Sequence, residues 1–271
     1  MAFGDVTYET DGPVATVGLN RPKYRNAQSY KLLDELDSAL DKAMADDAIQ
    51  VVIVKGNGEH FSSGHDLGTP ESVEDRQKRG IPNEGLEFYD AFRKYNYDIT
   101  IKWRNLPKPT VAMVRGYCIY GGWMIASAMD LVFADRSAQF LAGLVEYYSI
   151  PWDVGIRKAK ELLFESRFID ADEAHALGFV NRVYEAADLE RETMAYCQRV
   201  AENTPWALRM AKVATNRTQD IQGYTNAVDA AFADYVVMMG QRGGGRVEGM
   251  RRLGGVDLAV KGQRKERFGL E

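Results

Sequence analysis

Residues 111–135, VAMVRGYCIYGGWMIASAMDLVFAD, constrain the fold more than any other stretch of the chain. Val111, Met113 and Val114 belong to a short apolar run that reads as a strand and stops at Arg115-Gly116. Gly121-Gly122 open a second apolar run, Trp123 to Met129, too long and too poor in β-branched residues for a strand, so it reads as a buried helix. After Asp130, Leu131–Ala134 is strand-like again. A glycine pair at the head of a buried helix has two uses. It lets the helix pack tightly on a sheet, or it lets backbone approach a ligand, since no Cβ stands in the way. Helix-start N–H groups lack intrahelical partners and can point at negative charge.

An earlier segment matches this one. In VVIVKGNGEHFSSGHDL, residues 51–67, Val51–Val54 has the continuous apolar character of a strand buried on both faces. Gly56, Asn57 and Gly58 break it. Phe61 to Leu67 then forms a small-residue turn able to present another backbone N–H. Two strand-then-glycine turns of this kind can converge on one oxyanion, which fixed backbone donors stabilise well where water is scarce.

The pair HFSSGHDL and RGYCIYGG, in this order and spacing, resembles the enoyl-CoA hydratase/isomerase (crotonase) superfamily, whose usual forms are FSAGADL and NGxxxGGG. Further matches are LNRPKYRNA at 19–27, LPKPTVAMVRG at 106–116 and DADEAHALGFVNRV at 170–183. The resemblance spans most of the chain. It implies an α/β fold, a spiral of ββα units over residues 1–200, followed by a helical trimerisation region over 201–271. It implies an acyl-CoA substrate, carried as a homotrimer or dimer of trimers, with coenzyme A entering as part of the substrate and no separate cofactor. It places the two oxyanion donors at the backbone N–H groups of His65 and Gly121. It also puts CoA or substrate contacts at Lys23, Arg25, Ser63, Asp66, Leu67, Tyr120, Met124 and Leu144. Of these, Lys23 and Arg25 either meet phosphates or are solvated loop cations, and Asp66 matches a position that mainly shapes its loop. The His65 side chain stands where alanine is common. It is either incidental or, titrating near neutral pH, an acid or base.

The sequence departs from the family at its acid/base pair. Hydratases carry one Glu three residues after the oxyanion glycine, here Met124, and another four residues after a Phe matching Phe140, here Leu144. Neither replacement can transfer a proton. Nearby carboxylates are Glu146 and Asp153. Dienoyl-CoA isomerases carry a catalytic Asp in the segment matching Ile150–Gly155, at or within one residue of Asp153. A carboxylate among Ile150, Pro151, Trp152 and Val154 is poorly solvated, which raises its pKa. The alternative is that Asp153 caps a helix beginning at Val154. Glu146 either takes part in catalysis or pairs with an arginine across a subunit interface.

Composition excludes other classes. The 271 residues carry a formal charge of −5, which argues against a strongly electrostatic nucleic-acid binder without excluding a local basic patch, so no DNA partner is expected and RNA is disfavoured. No apolar run is long enough to span a bilayer, the N-terminus lacks a signal pattern, and Cys118 and Cys197 stand far apart. These features point to a cytoplasmic protein. No feature suggests a metal, flavin or nicotinamide site.

Elsewhere, Asp11-Gly12 turns a hairpin, and Leu32, Leu33, Leu36, Ala39, Leu40 and Ala43 mark an amphipathic helix. The polar stretch 69–84 reads as a surface loop. A helix from Leu86 to Asn105 is rich in aromatics, as core or as a wall of the acyl pocket. Helices are expected near 157–164, 170–177, 188–203, 205–218 and 224–240, before a basic, glycine-rich tail. The reading as a whole is an acyl-CoA enzyme working through a stabilised enolate, first an enoyl-CoA hydratase. Alternatives are an isomerase, a C–C bond hydrolase on a cyclic β-keto acyl-CoA, or a silent CoA-binding or RNA-binding oligomer.

Overall fold

The computed structural model describes residues 3–82, 84–143 and 147–240. The chain opens with strands β1 (Val6–Asp11) and β2 (Val14–Leu19), paired antiparallel through a turn at Gly12, whose φ of +54° suits glycine. The Ser29 hydroxyl accepts from Leu32 N–H at 3.1 Å and so starts helix α1 (Tyr30–Ala45). The apolar positions of α1 line one face and are buried. Strand β3 (Val51–Gly56) then pairs parallel to β2.

The stretch expected as a surface loop contains a helix, α2 (Pro70–Lys78), and that expectation is corrected. Thr69 caps it, with its hydroxyl 3.4 Å from Ser72 N–H, and Pro70 fills the first turn. None of its residues is buried, so it has no apolar stripe to announce it. The expected single helix 86–105 is α3 (Gly85–Arg93) and α4 (Ile99–Arg104), joined by a π-helical turn over Lys94–Asp98.

Strands β4 (Thr110–Val114) and β5 (Tyr117–Ile119) lead into helix α5 (Gly121–Ala128), then β6 (Leu131–Asp135) and β7 (Gln139–Leu141). Short helix α6 (Ile150–Asp153) is followed by α7 (Ile156–Glu165), β8 (Ile169–Asp170), α8 (Ala171–Ala176) and β9 (Arg182–Tyr184). Helices α9 (Leu189–Val200), α10 (Pro205–Ile221) and α11 (Tyr224–Gly240) complete the described chain. The tail from 241 lies outside the described residues.

Six strands form one sheet in the order β1-β2-β3-β4-β6-β9, parallel from β2 onward, and β5-β7-β8 form a second. Side chains alternate across a strand, so β3 serves two cores. Val52 and Val54 join the large core with α1 and α5, while Val51 and Ile53 pack with Val111, Phe133 and, from α9, Leu189 and Cys197. The aromatics of α3, the π turn and α4 are mostly core: Phe92 lies 5.8 Å from Phe232 and 6.0 Å from Tyr235 of α11 between ring centroids. Among the described residues no helix is long and apolar enough to cross a membrane.

Leu36 is fully buried between α1 and the sheet. Leu36→Ala is expected to lower the unfolding free energy by about 2–5 kcal/mol, read from urea denaturation.

Candidate active site

β3 and β4 are parallel neighbours, so both chains leave the sheet at the same edge, the carboxyl ends where ligands of open α/β sheets sit. The two turns that follow are laced together by backbone. Phe61 N–H donates to Arg115 O at 2.9 Å, Ser62 N–H to Tyr117 O at 2.9 Å, and Ile119 N–H to Ser62 O at 3.0 Å. At their tips the backbones touch. A Cβ on Gly64 would lie 2.7 Å from Ile119 O and 3.3 Å from Gly121 N. A Cβ on Gly122 would lie 2.7 Å from Ser62 O. Glycine at 64 and 122 is therefore what brings His65 and the first turn of α5 together.

Three residues not singled out from the sequence hold this arrangement. The Ser62 hydroxyl donates to Asn26 O at 2.9 Å and accepts from Gly64 N–H at 3.1 Å. The Asn26 side chain donates to His60 O at 2.8 Å. Gln28 bridges backbones: its N–H donates to Gly64 O at 2.8 Å and its carbonyl accepts from Asp66 N–H at 3.0 Å. Its amide lies against Gly121, where a Cβ would be 2.4 Å from Gln28 Oε1. Ser62 lies in the glycine turn and Asn26 in the LNRPKYRNA stretch, but nothing in the sequence marks what their side chains, or Gln28, would hold.

Among the expected contact residues, Asp66 has both oxygens engaged by its own loop. One accepts from Gly68 N–H (3.0 Å) and Thr69 N–H (2.8 Å), the other from Thr69 Oγ1 (2.6 Å) and Arg21 Nη1 (2.8 Å). It shapes the loop, and its place among the substrate contacts is corrected accordingly. Burial opposes its ionisation, but the Thr69, Gly68 and Arg21 donors outweigh this and hold the carboxyl below its ordinary value. Ser63 ties back to the 23–25 turn, its N–H donating to Arg25 O at 2.9 Å. The Arg25 guanidinium stands 5.9 Å from the Tyr117 ring centroid, and Lys23 Nζ 4.8 Å from that of Tyr24. Leu67 is exposed. The His65 ring is nearly buried, and a cleft of about 20 Å³ beside it is lined by Gln28, Tyr30, Leu33, Asp66, Ser72 and Asn96.

A profile of the enoyl-CoA hydratase/isomerase family matches residues 9–237. The chain belongs to that family. It is 37% identical over 252 residues to the Mycobacterium tuberculosis protein named "Putative enoyl-CoA hydratase EchA13", covering 85% of this chain and 79% of that one. Among solved structures, a "probable enoyl-CoA hydratase" from Mycobacterium smegmatis superposes with a TM-score of 0.79 at 38% identity, over 87% of this chain and 94% of that one. An enoyl-CoA hydratase/isomerase from Xanthobacter autotrophicus Py2 gives 0.80 at 29% identity, over 98% and 99%. The crotonase fold expected from the sequence is the fold observed.

As a family member the chain lacks a carboxylate on the first turn of α5, where Met124 is buried, its N–H donating to Tyr120 O at 3.0 Å. Leu144 and Glu146 lie outside the described residues. Asp153 is not a helix cap: Gly155 holds that position before α7. Its Oδ2 instead accepts from Trp123 Nε1 at 2.7 Å and Ser149 Oγ at 2.8 Å, and Ser149 Oγ lies 2.7 Å from Ser127 Oγ. Burial pushes the Asp153 carboxyl up to about 7, against these two donors. Asp153 thus reaches α5 through Trp123, two residues past Gly121. It also lines a cavity of about 810 Å³ with Ser127, Asp130, Trp152, Lys212 and Tyr224. That cavity lies toward the far end of α5, and the 62–65 turn does not line it.

Asp66 and Arg21 form a pair with side-chain exposures of 0% and 6%. Arg21→Ala strands the carboxylate and is expected to cost about 3–5 kcal/mol. Because the folded carboxyl titrates below its unfolded value, its contribution is full at neutral pH and fades as pH falls through the folded pKa. Asp66→Asn is therefore expected to be less stable than wild type at pH 7 but to show a smaller further loss on acidification below about pH 4, read from urea midpoints at both pH values.

Proposed function

We propose that the chain adds water to a 2-enoyl-CoA, holding the developing thioester enolate oxygen between the N–H groups of His65 and Gly121. The observation that carries this reading is the contact of the two glycine turns, so close that a Cβ at 64 would come within 3.3 Å of the Gly121 nitrogen. Such a contact brings two backbone segments close together, and preorganised backbone donors stabilise charge that develops during reaction. The names of the relatives support the same reaction. With Met124 in place of a carboxylic acid, Asp153 is assigned the role of base toward the water. Its raised pKa suits a group that takes up a proton near neutral pH.

A second reading, enoyl- or dienoyl-CoA isomerisation, is favoured by the buried Met124, because moving one proton along a chain needs one shuttle rather than two opposed carboxylates. Both readings predict a rate that depends on Asp153. Hydration of crotonyl-CoA, followed by loss of the conjugated-thioester absorbance, is expected to rise with pH through about 7 as Asp153 ionises. Asp153→Asn is expected to lower kcat by about a hundredfold or more. A carboxyl whose folded pKa is raised costs stability as pH climbs past its unfolded value, so this variant is expected to melt no lower than wild type at pH 8. Wild-type silence on crotonyl-CoA and on a cyclic enoyl-CoA would sink the hydratase reading.

The working unit in this reading is a cytoplasmic homotrimer or dimer of trimers. Helix α10 supports it: no residue of the helix is buried, and Trp206 is 70% and Ile221 81% exposed. Trp206→Asp is expected to lower the mass measured by light scattering to that of a 30.4 kDa monomer. An unchanged mass would remove α10 from the interface.

A further inference from the structure

The residue that precedes the oxyanion glycine is a tyrosine in a backbone conformation that glycine adopts and L-residues avoid. Tyr120 has φ +46° and ψ −102°. The family form NGxxxGGG, set against RGYCIYGG, has glycine at this position. The surrounding structure holds the strain in place. Tyr120 N–H donates to Leu141 O at 3.0 Å, and its carbonyl accepts the first helical bond of α5 from Met124 N–H at 3.0 Å. Its ring lies flat against Gly143, where a Cβ would come within 1.9 Å of Cε1 and 2.9 Å of Cζ. Residue 143 is thus required to be glycine by the ring. Strained backbone of this kind persists where function holds it, since relief by glycine is a single substitution away.

The ring's direction matters more than the strain. Cζ at Gly143 carries the phenol oxygen beside the residue that precedes Leu144, the position where a catalytic carboxylate is missing. At its other end, the Tyr120 Cβ lies 3.4 Å from where a Cβ on Gly64 would sit, beside the 62–65 turn. The side chain therefore runs from the contact of the two glycine turns to Gly143. Among the described residues its hydroxyl makes no hydrogen bond. Tyr120 is half-buried.

We propose that Tyr120 is a catalytic residue whose phenol O–H delivers the proton to the α-carbon of the thioester enolate. This inference rests on the enolate chemistry proposed above. As the water oxygen bonds to the β-carbon, the water O–H bond breaks and its proton passes to Asp153. The electron pair of the enolate takes the Tyr120 proton, forming the α C–H bond and leaving a phenolate. The phenolate then regains a proton from Asp153 by way of solvent. The sum is one water added and no proton gained or lost. Burial pushes the phenol up to about 12, so it enters each cycle protonated.

The test compares wild type with Tyr120→Phe and Tyr120→Gly on crotonyl-CoA. Tyr120→Phe keeps the ring on Gly143 and removes only the oxygen. It is expected to lose about a hundredfold in kcat, with little change in affinity for crotonyl-CoA by calorimetry. It is also expected to lose incorporation of deuterium at the α-carbon when butyryl-CoA is incubated in deuterated buffer. Tyr120→Gly, which removes the oxygen along with the ring's packing, is expected to be equally impaired. Wild-type turnover in Tyr120→Phe overturns the proposal, as does weakened binding with unchanged turnover. If wild type itself hydrates nothing, the reaction assigned above fails along with it. If wild type is active and Tyr120→Phe matches it, only the role of Tyr120 fails.

Discussion

The parallel pairing of β3 with β4 is the constraint on which the site depends. It makes two turns leave one edge of the sheet, and those turns then pair with each other through Phe61, Ser62, Tyr117 and Ile119. Hydrogen bonds between turns fix separation to a few tenths of an ångström, which side-chain packing alone does not. The price of that approach is paid in glycine: Gly64 and Gly122 face backbone at distances no Cβ tolerates. Around this contact the second layer is polar but fully used. Ser62, Asn26 and Gln28 satisfy the turn, and Arg21 with Asp66 anchors the loop that runs on to α2. An anchored turn keeps its N–H directions fixed, and fixed dipoles are what stabilise charge without reorganising.

In the proposed reaction, proton transfer is organised differently from oxyanion binding. The backbone donors sit on the edge of the sheet, while the buried carboxyl of Asp153 approaches α5 from the other side of Trp123. Trp123 stacks on Phe179 at 4.2 Å between centroids and packs edge-on to Phe140, so the indole that holds Asp153 is itself held by the core. Desolvation and two hydrogen bonds act on that carboxyl in opposite senses, and desolvation wins. Tyr120, by contrast, belongs to the turn that leads into α5. Its backbone carbonyl accepts the first helical bond of α5, and its ring spans to Gly143.

Much of this was legible in the chain. Continuous apolar runs gave β3 and β4, the 3.6-residue spacing of Leu32, Leu33, Leu36 and Leu40 gave α1, and glycine pairs marked the turns. What escaped was structure without an apolar signature. Helix α2 is solvated on all sides and rests on its Thr69 cap, Pro70 and its tether to the first turn through Tyr24 and Glu71. The π turn at Lys94–Asp98 leaves hydrophobic spacing nearly intact and so reads as plain helix.

The sequence by itself determined the family and much of the order of elements, and it shows Met124 and Leu144 as residue types at two positions. Only the tertiary structure decided which groups stand in the remaining space. Whether Asp153 caps α7 or is buried under Trp123 depends on the path of the chain between β7 and α7. That Asp66 is consumed by its own loop depends on Arg21, 45 residues away. That a tyrosine occupies a left-handed position, and lies on Gly143, is a matter of φ angle and ring direction. Local sequence carries propensities. Distances between residues far apart in the chain follow only from how strands pair and cores close.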